Sequence, residues 1–105
     1  MKANPDPAEY GGSVIMSGFR ELDDSEQSAI QKIISHHEGR LKELCGNEIQ
    51  IKLTMKKVHA KEKSEKYEVH ARLTYSKGHK EAEVIDRSLP IAVDSVLEKI
   101  QNEVQ

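Results

Sequence analysis

Two stretches of this chain alternate, residue by residue, between apolar and polar side chains, and that period confines them to one kind of structure. Ile49, Ile51, Leu53 and Met55 fall on one parity, with Gln50, Lys52, Thr54 and Lys56 on the other. Tyr67, Val69, Ala71, Leu73 and Tyr75 repeat the pattern against Glu68, His70, Arg72 and Thr74. Successive side chains of a strand point to opposite faces, so each stretch predicts a strand with one face in a core and the other in water. A helix would spread the same residues around its axis. The alternation therefore calls for a sheet covered on one side only.

What covers it is also written in the chain. Ile30, Ile33, Ile34, His37, Leu41, Leu44 and Cys45 recur at spacings of three and four, the apolar stripe of a helix of about five turns. Asp23-Asp24-Ser25 can cap its start, and Gly46-Asn47 ends it. A second stripe, Leu89, Val93, Val96, Leu97, Ile100 and Val104, follows a cap at Ser88, with Pro90 in the first turn where its missing N–H costs little. Val14-Ile15-Met16 predicts a short strand before the first helix. Ser76-Lys77-Gly78 predicts a tight turn into a fourth strand over 79–85. The order is β-α-β-β-β-α. The expected fold is α+β, a four-stranded sheet with two helices packed on one face. Residues 13–105 make one domain, and 1–12, with Pro5, Pro7 and Gly11-Gly12, read as a flexible lead-in. Residues 60–66 read as a charged loop.

Charge is sorted along this frame. The chain carries a formal net charge of −2, yet residues 51–80 hold nine Lys/Arg against three Glu, a net of +6, and each flank is at −4. Segregation of this kind sets up a local positive field, and such a field attracts phosphate. Lys52, Lys56 and Arg72 share the polar parity of their strands and are expected on the uncovered face.

Several function classes are disfavoured. There is no apolar run of the ~20 residues a membrane span needs, and no secretory h-region follows Met1. Cys45 is the only cysteine; it rules out an internal disulfide and fits a reducing, cytoplasmic setting. Its place beside Glu43 and Glu48 at a helix C-terminus is the wrong electrostatic setting for a nucleophile. His36 and His37 point roughly 100° apart on a helix and do not share an ion easily. His70 and His79 can face each other across neighbouring strands, but no third ligand joins them. No glycine loop for phosphate and no nucleophile elbow is present. No enzyme, cofactor, metal or small-molecule substrate is expected. Tyr67 and Tyr75 have inward parity, so base stacking is poorly supplied, and recognition of RNA by shape and phosphate suits the composition better.

Three stretches together resemble the ribosome hibernation promotion family, also called ribosome-associated translation inhibitors. They are Val14-Ile15-Met16-Ser17-Gly18 with the helix after it, Ile49 through Lys57, and Asp86 through Ile100, which holds Ala92-Val93-Asp94 and Lys99 in an apolar repeat. The similarity spans about residues 13–104. It implies a double-stranded-RNA-binding-domain-like fold seated in the small ribosomal subunit, across the mRNA and tRNA path, that inhibits translation under stress. The chain departs from the pattern as well. Its first helix has Arg40 and His37 flanked by Glu38 and Glu43, no basic tail follows the second helix, and the dimerisation domain of long family members is expected to be absent.

The candidate RNA-binding residues are Arg40, Lys52, Lys56, Lys57, Arg72, Lys77 and Lys80, and the expected partner is small-subunit rRNA. Ordinary solubilising charge competes with that reading for each of them. Two other functions stay open: a protein-interaction module using acidic helices, and a double-stranded-RNA binder outside the ribosome.

Overall fold

The computed structural model describes residues 8–10, 13–19, 22–59 and 65–105. Its elements are β1 (Ala8–Tyr10), β2 (Val14–Ser17), α1 (Asp24–Cys45), β3 (Gln50–His59), β4 (Glu65–Tyr75), β5 (Gly78–Asp86) and α2 (Leu89–Val104). The sheet order is β1-β2-β3-β4-β5; β2 and β3 run parallel and every other neighbouring pair is antiparallel. The α+β frame and the β-α-β-β-β-α order read from the sequence are present.

Three differences matter. A fifth strand, β1, pairs with the outer edge of β2, inside the segment expected to be a flexible lead-in; the remainder of that segment lies outside the described residues. The expected loop over 60–66 is shorter: Glu65 and Lys66 pair with His59 and Val58 as ladder residues, and 60–64 lie outside the described residues. His70 and His79 do not face each other, because the register sets His70 opposite Glu83 and His79 opposite Thr74.

Both helix starts use the expected caps. Asp23 accepts a 2.8 Å bond from the Glu26 amide, and the Ser88 hydroxyl accepts one from the Ile91 amide at 3.3 Å. These bonds satisfy amides that have no partner within the helix. Gly46 ends α1 at φ +95° with its amide bonded to the Lys42 carbonyl, a conformation that side chains resist.

One core fills the space between helices and sheet. Val14, Met16, Ile51, Leu53, Val69, Ala71 and Leu73 from the strands meet Ile30, Ile34 and Leu41 of α1 and Leu89, Val93, Val96, Leu97 and Ile100 of α2. Tyr67 and Tyr75 pack against it, half-buried, on the inward parity expected of them. Cys45 is half-buried at its rim; burial pushes the thiol pKa up, against a smaller downward pull from Lys77.

His37 is the one buried polar residue found among the described side chains. Its Nε2–H donates to Asp94 Oδ1 at 2.7 Å, and its Nδ1 lies 3.0 Å from Gln101 Oε1, so one ring ties α1 to two points of α2 about two turns apart. This gives the Asp94 of the Ala-Val-Asp step a structural task. Asp94→Ala leaves a buried ring nitrogen without its partner and is expected to lower stability by about 1–3 kcal/mol in urea unfolding.

Candidate nucleic-acid interface

The face of the sheet away from the helices is built from the polar parity of each strand. Four cross-strand rows define it: Gln50–Thr74–His79, then Ile15–Lys52–Arg72–Glu81, then Ser17–Thr54–His70–Glu83, then Lys56–Glu68–Ile85. Val58 and Lys66 form a further pair on the β3–β4 ribbon beyond the end of β5. Lys52, Lys56 and Arg72 are exposed on this face, as their parity requires.

The other candidates lie elsewhere. Lys57 pairs with Tyr67 and Lys80 with Leu73, so both belong to the helix-side parity, at its rim. Lys77 sits in the exposed β4–β5 turn. Arg40 is exposed on a flank of α1, in the helix layer behind the sheet, with Nε 3.7 Å from Glu43 Oε1. The structure thus brings together three of the seven predicted residues. It adds Lys66, which the sequence reading placed in a loop although it shares the parity of Glu68 and His70.

The face is mixed in sign. Arg72 Nε lies 3.8 Å from Glu81 Oε2, while His70 Nε2 is 3.1 Å from Oε1 and His79 Nε2 is 3.8 Å from Oε2 of the same carboxylate. The ion pairs described on this face all converge on Glu81. No group of three or more His, Cys, Asp and Glu side chains suited to a metal ion occurs among the described residues.

Glu68 and Glu83 are diagonal neighbours on β4 and β5, close enough for their carboxyls to share a proton. That sharing and the repulsion between the two carboxylates raise the Glu83 pKa above its ordinary value, opposed by His70 and Lys56. A carboxyl whose folded pKa is raised destabilises the fold when ionised, and the cost fades as pH falls through the raised value. Glu83→Gln is therefore expected to raise the thermal midpoint at pH 7.5 and to lose that advantage near pH 4, as read by calorimetry.

No protein-family model matches the chain, and no curated protein matches it in sequence. Solved structures do match. The N-terminal domain of Protein Y from Thermus thermophilus superposes with a TM-score of 0.54 at 13% identity, over 87% of this chain and 90% of that one. A ribosomal subunit interface protein from Coxiella burnetii superposes with a TM-score of 0.59 at 15% identity, over 88% of this chain and 90% of that one. No helix among the described residues is long and apolar enough to cross a membrane. In architecture, if not in sequence, this chain has the fold of the Protein Y N-terminal domain and of the ribosomal subunit interface protein.

Proposed function

We propose that the protein is a non-enzymatic, ribosome-associated factor of the cytoplasm that sets the open face of its sheet against small-subunit rRNA in the mRNA and tRNA channel and inhibits translation by occupying that path. The observation that carries this reading is the uncovered face, with Lys52, Lys56, Lys66 and Arg72 on adjacent β3 and β4, in a fold shared with a protein described as a ribosomal subunit interface protein. Phosphate contacts supply most of the affinity of such surfaces and fix orientation without reading bases. A nearly rigid sheet offers its cations at set spacings, so few side chains need ordering on binding. Lys77 in the adjoining turn extends the surface. Lys57 and Lys80 reach RNA only where it wraps the rim, and Arg40 only from the far wall of a channel.

Four phosphate contacts give a steep salt response, so affinity for purified small subunits is expected to fall by about a hundredfold between about 50 and 200 mM monovalent salt. Equilibrium pelleting of the protein with small subunits checks this. Binding that ignores salt, or a nuclease-resistant protein complex in place of ribosomal particles, would replace this reading with the protein-interaction one. Free duplex RNA that competes as well as the subunit would favour a binder outside the ribosome.

A further inference from the structure

Three side chains from two neighbouring strands converge on a single carboxylate at the surface. Glu81 Oε1 faces His70 Nε2 at 3.1 Å, and its Oε2 lies 3.8 Å from both Arg72 Nε and His79 Nε2. All four side chains are roughly half exposed, at 42, 47, 52 and 43% for His70, Arg72, His79 and Glu81, so an incoming group can reach them. Oε1 of Glu81 is hydrogen-bonded to His70, and its Oε2 lies within ion-pair distance of Arg72 and His79, so one anionic group already draws all three side chains together. We infer that His70, Arg72 and His79 form a binding site for an RNA phosphate, that Glu81 fills this site in the free protein, and that phosphate enters as the two histidines gain protons. The choice of RNA as the ligand rests on the function proposed above.

The charge count sets the behaviour. With both imidazoles neutral, Arg72 and Glu81 cancel, and a phosphate must evict a carboxylate to meet one cation. Histidine gains its charge between about pH 8 and 5. With both imidazoles charged, three cations face one carboxylate, and phosphate is attracted in its place. The surroundings carry both signs. Lys52 stands opposite Arg72 on β3, with Lys56 further along; Glu83 stands opposite His70, with Glu68 beside it. β2 contributes only Ile15 and Ser17 to this face, and the helices lie behind the sheet.

The test measures binding of a fluorescent 12-base-pair RNA duplex and of purified small subunits at pH 7.5 and 6.0 at fixed ionic strength. Wild-type affinity for RNA is expected to rise about tenfold on acidification. Glu81→Gln is expected to bind about three- to tenfold more tightly at pH 7.5. His70→Gln/His79→Gln is expected to lose the pH response while keeping the affinity seen at pH 7.5. Circular dichroism confirms that each variant is folded, and all three positions are exposed enough to tolerate the change. Glu81→Gln binding no better than wild type at pH 7.5, or a pH response that survives loss of both histidines, overturns the site. If the subunits bind in a salt-sensitive way that Glu81 does not affect, the site is wrong and the proposed function stands. If the duplex binds in a proton-dependent, Glu81-limited way and the subunits do not bind, the site stands and the ribosomal reading falls.

Discussion

Gly18→Val is expected to destabilise the protein by about 3 kcal/mol or more, enough to leave much of a marginal domain unfolded. Gly18 follows the last β2 residue at φ +86°, and a Cβ there would collide with the backbone carbonyl oxygen of Met55. A valine thus meets two penalties: a backbone conformation that branched residues rarely adopt, and a clash with main chain that has no rotamer to yield. The collision sits where the parallel β2–β3 pairing, which ends at Ser17 opposite Thr54, lets the chain turn toward α1. Relief would require prying β2 from β3 and loosening Val14 and Met16 in the core. Gly39→Ala is the contrast. Gly39 lies on the exposed side of α1 with nothing within 4 Å of a new Cβ, and alanine there is expected to stabilise by about 0.5–1 kcal/mol. Urea titrations of both variants should move in opposite directions; equal shifts would mean that the close approach at Met55 does not constrain the chain.

Reversing Lys52, Lys56 and Arg72 to Glu should weaken small-subunit binding by about 100-fold or more near 100 mM salt. Lys52 and Arg72 share one cross-strand row and Lys56 stands two rows further along β3 on the same face, so the change replaces a cluster of phosphate contacts with repulsion. Fold is not at stake, since all three side chains are exposed. The charge-matched comparison is Lys32 and Lys42 of α1 and Lys99 of α2 changed to Glu. It alters net charge equally but acts from behind the helix layer, and is expected to change affinity by about threefold or less, the level of long-range screening. A deficit shared equally by the two triple variants would point to net charge alone.

Most of the frame was legible because it is periodic. Parity fixed which side chains of β3 and β4 meet the core, and caps fixed the helix starts. β1 was hidden because Ala8-Glu9-Tyr10 is too short to show alternation between proline and glycine neighbours; it exists because the outer edge of β2 is available to pair. The site was half legible. Lys52, Lys56 and Arg72 followed from parity, whereas Lys57 and Lys80 were grouped with them by charge although Lys57 shares the parity of Met55. Lys66 fell in a run of charges that looked like loop. The role of Glu81 depends on register: nothing local says which β5 residue will stand opposite Arg72. The His37–Asp94 tie was equally out of reach, because it joins residues 57 apart across a helix packing that only the assembled core sets.

The central claim is that the open sheet face touches small-subunit rRNA. Directed hydroxyl-radical cleavage tests it most directly, with Cys45 first replaced by serine and an iron chelate attached at Thr74→Cys, an exposed position on that face, or at Ser35→Cys on the outer side of α1. The account expects strong cuts from the Thr74 position, grouped in rRNA lining the mRNA and tRNA path. A bound protein that cuts no rRNA from Thr74 and cuts it only from Ser35 would contradict the account.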